Sequence, residues 1–225
     1  MTTDARYDGI ADWYDTEFQP APLDSETWEV LTRLLGDGSG SLLDVGCGTG
    51  SFAAGLTELG WDYTGVDVSE DMLRRAAAKG VLTVRSDATS LPFEDARFDA
   101  AVSVFTHTDF DDFPGAVREL ARVLRPGSPF VYVGAHPCWV GPHSTYDAAR
   151  GFPELHPGWY RQVTRYSQAP GVWRASGVRI RVGAVHIPLG LFLQAFLEAG
   201  FRLEQVEEPD GREYSYSLAL RWRRP

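Results

Sequence analysis

Residues Leu42 to Gly50, LLDVGCGTG, constrain the fold of this chain more than any other stretch. A short buried strand, Leu42 to Val45, runs into a glycine-rich turn, and a helix is expected from Ser51 to Leu59, ended by Gly60. Glycines without Cβ let backbone approach a ligand closely, and a helix starting just beyond them offers unpaired N–H groups to an anion. The same strand–turn–helix rhythm continues. Trp61 to Val66 reads as a strand with Asp67 at its end, Glu70 to Lys79 as a helix capped by Ser69 and closed by Gly80, and Val81 to Arg85 as a third strand. Strands at Phe98 to Val104 and Phe130 to Gly134 flank a helix at Pro114 to Leu124. Such alternation favours a parallel sheet with crossover helices on both faces.

The flanks differ from this core. An aromatic helix around Ile10 to Glu17 precedes the breakers Pro20 and Pro22, and Ser25 caps a helix from Glu26 to Leu35. From Ala135 to His186 the chain is rich in Gly, Pro, His and aromatic residues and weakly periodic, with one short strand expected at Val178 to Arg181. This stretch reads as an insertion or lid on the sheet's functional edge. Of its aromatic residues, Trp139, Tyr146, Trp159, Tyr160, Tyr166 and Trp173, half are expected to form a private core and the rest a desolvated pocket for an aromatic or bulky apolar ligand. A helix at Leu189 to Ala199 and strands at Phe201 to Val206 and Ser215 to Trp222 complete the pattern. The expected organisation is one domain over 1–225, with a core at about 25–134 and 187–225, a cover at 1–24 and a lid at about 135–186.

A chain of 225 residues suffices for one α/β domain. A net charge of −10 repels phosphate backbones, so a nucleic-acid partner is disfavoured and a small-molecule partner expected. No apolar run nears the ~18 residues of a membrane span, and MTTDARYDGIADWYD lacks a signal peptide's basic and apolar blocks, so no membrane partner and a cytoplasmic location are expected. Cys47 and Cys138 lack CxxC spacing and read as free thiols. Lys79 is the sole lysine, which argues against Schiff-base chemistry. Oligomeric state is not legible.

In an open α/β sheet, ligands sit outside the carboxyl ends of the strands where strand order reverses. Asp67 at the second strand's end can accept from ribose hydroxyls, and Asp87 after the third can accept from an adenine amine, with Ala88 and Leu91 walling the ring. A dinucleotide site would call for GxGxxG, which GCGTG followed by Ser51 does not supply.

With LLDVGCGTG, VDVSEDML and SDATSLPFEDARFDAAVS in order, the sequence resembles the class I S-adenosylmethionine-dependent methyltransferases of small-molecule type, from about Tyr7 to Gly134 and more loosely from His186 to Trp222. The resemblance implies a Rossmann-like, seven-stranded, mostly parallel sheet with helices on both faces, a C-terminal antiparallel strand and an inserted lid. It implies S-adenosyl-L-methionine as cofactor and S-adenosyl-L-homocysteine as product. Gly46, Cys47 and Gly48 would meet the methionine moiety, with Asp44 helping to hold its amine through the loop. Asp67 would bind the ribose, with Val68 and Met72 beside it. Asp87 and Ala88 would bind adenine, and Phe105 would close over the cofactor. Tyr7 and Tyr14 would shield the sulfonium from the N-terminal cover, with Tyr7 also facing the acceptor.

Methyl transfer is an in-line displacement at a carbon already activated, so the protein mainly aligns the nucleophile and excludes water. A nucleophile that must lose a proton needs a base, commonly histidine. His136 after the fifth strand and His143 in the lid are the candidates, against the reading that each bonds only backbone. His107, His186, Trp139, Tyr160, Trp173 and Tyr7 are the expected acceptor-binding residues; His107 also reads as packing beneath the cofactor. The run Asp109, Asp111 and Asp112 suits a hard cation by composition, but helix capping by Asp111 or Asp112 explains it and no metal is expected. The (D/N)PP(Y/F) signature of amino-directed nucleic-acid methyltransferases is absent, its place being taken by Phe105-Thr106-His107-Thr108. Two further readings fit the same motifs, namely a relative that binds the cofactor but catalyses a cyclisation or rearrangement, and a non-catalytic cofactor-binding protein.

Overall fold

The computed structural model describes residues 5–18, 25–147, 152–169 and 177–225, and Pro20, Pro22 and Trp173 lie outside them. The fold is organised by strands whose side chains are buried on both faces. Along β1 (Ser41–Val45) every residue is buried; Leu43 and Val45 face one apolar cluster and Leu42 the other. A strand buried on both sides needs neighbours on both edges and helices above and below. β1 accordingly pairs in parallel with β2 (Asp62–Asp67) and with β4 (Ala100–Val104). β3 (Thr83–Arg85) extends the sheet beyond β2, and β5 (Pro129–Ala135) extends it beyond β4, both parallel.

At the far edge, β11 (Ser217–Arg223) enters antiparallel between β5 and β10 (Arg202–Glu207). The order is β10-β11-β5-β4-β1-β2-β3, with the reversal between β1 and β4. Glu204 of β10 clamps this edge by accepting from Arg221 and Arg223 of β11.

One face is covered by α2 (Glu26–Leu35) and α3 (Ala53–Glu58), the other by α5 (Phe113–Val123) and α7 (Leu189–Glu198). Ser25 starts α2 by accepting from Trp28 N–H, and its buried stripe Val30, Leu31, Leu34 and Leu35 follows helical spacing. Burial of each such side chain stabilises the fold by roughly 1.5–3 kcal/mol. Ser69 caps α4 (Glu70–Ala78) in the same way, and Asp112 caps α5 by accepting from Gly115 N–H. Capping thus accounts for one acid of the Asp109–Asp112 run.

The N-terminal segment forms one short turn, α1 (Ala11–Trp13), continued by a π-helical turn at Tyr14–Phe18. Between β5 and α7 lie two small strand pairs, β6 (Ser144–Asp147) with β7 (Phe152–Leu155), and β8 (Thr164–Tyr166) with β9 (Ala184–His186). The stretch Val178 to Arg181, expected as a strand, lies instead in the short helix α6 (Val178–Val182). Its alternation of Val, Arg and Ile mimics a strand, but Val178 and Val182 share one buried helical face while Ile180 is exposed. Gly177 and Gly183, at φ +71° and +69°, turn the chain at either end. Among the described residues no helix is long and apolar enough to cross a membrane.

Candidate active site

The glycine loop takes its shape from what surrounds it. Gly46 N–H and Cys47 N–H both donate to Val66 O, tying the loop to β2. A Cβ on Gly46 would stand 2.4 Å from Thr106 Cγ2, so only glycine fits where the loop passes the end of β4. Gly48, at φ +54°, has open space where a Cβ would be. That space is a cleft at the carboxyl ends of β1, β2 and β4, at the reversal of strand order.

Val45, Gly46, Gly48, Val66, Asp67, Val68 and Met72 line one side of the cleft, and Ser86 and Ala88 close it beyond β3. Val104, Phe105 and Thr106 follow β4, and Arg6, Tyr7, Tyr14, Asp109 and Phe110 form the far wall. Asp67 is anchored by backbone, its Oδ2 accepting from Gly48 N–H at 2.9 Å and its Oδ1 from Ser69 N–H at 2.9 Å. Burial raises its pKa above the usual carboxylate range, and those two N–H groups oppose the rise. Phe105 holds φ at +56°, an uncommon conformation for a bulky residue, yet its N–H still bonds Val133 O. Local strain at the end of β4 therefore accompanies a ring on the cleft wall.

Cover and core are strapped together over this cleft. Gly9 N–H donates to Asp71 and Ser69 Oγ to Asp8, while Arg75 pairs with Asp12 and Lys79 with Asp15 at 2.6 Å. Lys79 Nζ also donates to Thr49 O, so one side chain ties cover, α4 and glycine loop. Tyr7 and Tyr14 meet edge to face, 5.6 Å between centroids. Burial, and then Asp109 beside it, raises the Tyr7 phenol well above its ordinary value; the same causes push Tyr14 up to about 12. Both phenols are neutral at neutral pH.

Other expected site residues take different positions. Asp44 lies beneath the loop, outside the lining; its Oδ2 accepts from Tyr63 OH at 2.7 Å, and burial pushes its pKa up to about 7. Cys47 packs away from the cleft toward Gly65 and Tyr63. Asp87 closes its own turn by accepting from Thr89 N–H and Oγ1, and its neighbours Ser86 and Ala88 border the cleft in its stead.

None of the five histidines lines the cleft. His107 is buried among Phe113, Tyr132 and Phe192, its Nδ1 2.6 Å from Tyr132 OH, and burial lowers its pKa to about 3. His136 places Nε2 3.0 Å from Glu208, and its Nδ1 accepts from Cys138 N–H. Trp139 packs against His136 and Tyr214. In the lid, His143 donates from Nε2 to Cys138 O, and His186 from Nε2 to Tyr160 O, with Tyr160 packed against both rings. Burial lowers both histidines, His186 to about 4. These groups form a lid cluster stabilised by backbone carbonyls, away from the cleft.

At the far wall, Asp109 was visible in the sequence only as one acid of a run, and Arg6 and, behind Asp109, Arg179 had no signal there. Asp109 Oδ2 accepts from Tyr7 OH at 3.3 Å and Oδ1 from Arg179 Nη1 at 3.2 Å, while Arg6 reaches Asp111 at 2.6 Å and lines the cleft. Arg6 and Arg179 stand 173 positions apart in the chain, a separation that no local pattern spans.

A seven-stranded sheet in this order, with a glycine loop and an anchored acidic strand end at its reversal point, defines a nucleoside-binding α/β fold of the Rossmann-like class. Residues 43–132 match the family model described as a methyltransferase domain. The chain is similar to an S-adenosylmethionine-dependent methyltransferase of known structure from Mesorhizobium loti, with a TM-score of 0.73, 26% identity, and 89% of this chain and 99% of that one covered. It is also similar to malonyl-[acyl-carrier protein] O-methyltransferase of Pseudescherichia vulneris, at 32% identity over 69% of this chain and 57% of the relative. Demethylmenaquinone methyltransferase of Mycolicibacterium paratuberculosis is 38% identical over 56% of each chain. The matched region thus spans little more than half the length of these curated relatives. The chain belongs to the class I S-adenosylmethionine-dependent methyltransferase family.

Proposed function

We propose that this chain transfers a methyl group from S-adenosylmethionine to an O, N or C nucleophile of a small molecule with an aromatic or apolar body. The observation that carries the proposal is the cleft itself: open space over Gly48, an anchored Asp67 beside it and a wall at Ala88. These residues fit the cofactor. Asp67 would accept from its ribose, the Gly46–Gly48 backbone would seat its amino-acid end, and Met72 and Ala88 would bracket its base. When bound, the cofactor supplies an electrophilic methyl group on a sulfonium.

The chain's own residues provide the rest. Phe105, Tyr7 and Tyr14 exclude water, and Phe110 offers apolar surface to the acceptor's body. The named activities of the relatives, on a malonyl carrier protein and on demethylmenaquinone, support an acceptor other than nucleic acid.

Titration with S-adenosylhomocysteine tests the site. Asp67→Asn and Asp67→Ala should each weaken binding, Ala by about 10- to 100-fold, as expected for losing hydrogen bonds to a charged group. Incubation with labelled cofactor and a panel of phenols, amines, enols and acids should give a product heavier by one methylene. Affinity within twofold of wild type in both variants would sink the site assignment, and tight cofactor binding with unmethylated product would sink the transfer.

A further inference from the structure

Among the described residues two carboxylates line the cleft, Asp67 at the end of β2 and Asp109 on the far wall. Asp67 would hold the cofactor's ribose, which leaves Asp109 to face the acceptor. Asp109 is firmly placed. Its N–H donates to Thr106 O, tying it to the turn after β4, and its own carbonyl accepts from Arg6 and Arg165. Oδ1 accepts from Arg179 at 3.2 Å, behind the lining, and Oδ2 from Tyr7 OH at 3.3 Å. An ionised carboxylate offers about four acceptor sites, so these two side-chain bonds orient the group and leave sites for a ligand. Its side chain is 23% exposed.

Asp67, Asp109 and Tyr14 share one electrostatic neighbourhood. Tyr14, on the same lining, is raised chiefly by burial and then by the charges of Asp109 and Asp67, and the charge of Asp109 adds to the rise that burial gives Asp67. In S-adenosylmethionine a single methylene joins ribose to sulfonium, so a ribose on Asp67 keeps the methyl group within this neighbourhood. Burial raises the pKa of Asp109 above the usual carboxylate range, although Arg179, Arg165, Tyr7 OH and Arg6 all oppose the rise. A carboxylate so placed is a stronger base than an exposed one. Since no histidine lines the cleft and both oxygens of Asp67 are held by backbone N–H groups, Asp109 is the group positioned to take a proton.

Resting on the methyltransferase reading, we propose that Asp109 is a catalytic base and that the acceptor is an aromatic hydroxyl compound, whose O–H donates to Asp109 and gives up its proton there during transfer. The rings of Tyr7, Tyr14, Phe105 and Phe110 on the lining suit an aryl body. Phenols ionise near ~10, within reach of a buried carboxylate, whereas aliphatic alcohols are far weaker acids. An amine attacks through its lone pair and sheds its proton afterwards, so it makes no such demand. The phenol oxygen forms the new C–O bond as the C–S bond breaks, with that pair staying on sulfur, and the O–H proton passes to Asp109 and then to solvent. A phenol and a sulfonium become an aryl methyl ether and a thioether. Arg179 is a positioning residue that acts through Asp109.

The experiment separates binding from transfer. The full chain, saturated with S-adenosylhomocysteine, is titrated with 4-methylphenol and 2-naphthol and with their methyl ethers, which keep the ring but cannot donate. Each phenol should bind about 10-fold more tightly than its ether, the scale of one hydrogen bond to a charged group. Asp109→Asn should cut that preference to about threefold or less, and Asp109→Glu should restore part of it. Ethers binding as tightly as phenols, no binding of either phenol, or a full preference surviving Asp109→Asn would overturn the proposal. The wild-type comparison decides the matter even where a variant fails to fold.

Transfer from S-adenosylmethionine is then read at about pH 8 on the same phenols, which are neutral there, and on 4-nitrophenol and pentafluorophenol, which are already ionised. Asp109→Asn should lower kcat about 100-fold or more on the neutral phenols and less than about tenfold on the ionised pair, with Asp109→Glu between wild type and Asn. A purely architectural role for Asp109 would lower both sets alike, and equal losses would overturn the base. Methylation of amines or carboxylic acids but of no neutral phenol would refute the base and the acceptor class while upholding the methyltransferase reading. Transfer to no acceptor at all would refute both.

Discussion

Asp44 and Asp67 are successive strand-end acids with opposite surroundings. Asp67 faces the cleft and is held by two backbone N–H groups, whereas Asp44 is buried beneath the loop with Tyr63 OH as its partner. Burial raises the Asp44 pKa to about 7, against 3.8 in an unfolded chain. The folded state therefore keeps this proton over a pH range in which the unfolded state has lost it. Stability contributed by the protonated form is full below about pH 4 and is lost as pH rises toward 7. Relative to Asp44→Asn, the unfolding free energy of the wild type should fall by up to roughly 4 kcal/mol between about pH 4 and pH 7, at about 1.4 kcal/mol per pH unit. Denaturant melts at several pH values measure this, and parallel curves for the two proteins would refute it. The pair also shows where reading from sequence ended. Each acid was legible as a strand-end carboxylate by its place after an apolar run, but which way it pointed depended on Tyr63, 19 residues downstream of Asp44 on the neighbouring strand.

At the level of elements, helices and core strands followed their local signals closely. Ser25, Ser69 and Asp112 each cap the helix that follows, because a cap is chemistry between residues three apart. The lid was harder. Its strands are three or four residues long and pair with distant partners, Thr164 with His186 for example, so neither length nor alternation rises above background. The histidines fail for the same reason: position after a strand put His136 near the sheet edge, but Glu208 and Cys138 hold its ring away from the cleft. The cover's ion pairs follow from contacts more than 60 residues apart and are exposed enough for salt to screen them. Two such surface pairs contribute about 1 kcal/mol together. Removing both with Arg75→Ala and Lys79→Ala should speed release of S-adenosylhomocysteine about fivefold in low salt and flatten its salt dependence. Stopped-flow release at low and high salt checks this, and equal rates for variant and wild type at low salt would show that the strap does not hold the ligand.

Across the whole molecule, an acidic chain of net charge −10 places Arg6 on the lining of its cleft, with Arg165 and Arg179 held against Asp111 and Asp109 outside that lining. The sheet supplies the floor of the cleft and the N-terminal segment supplies part of its roof, with Tyr7 and Tyr14 between them. The roof has a kinetic consequence. Tyr7 and Arg6 line the cleft from the cover, so any opening of the cover that admits the cofactor also removes part of the wall available to the acceptor. Under the proposed methyl transfer, turnover should then be ordered, cofactor first on and demethylated cofactor last off. S-adenosylhomocysteine should compete with S-adenosylmethionine and be non-competitive toward the acceptor, and a cover that stays shut between turnovers would make departure of the spent donor the step that limits the enzyme's pace.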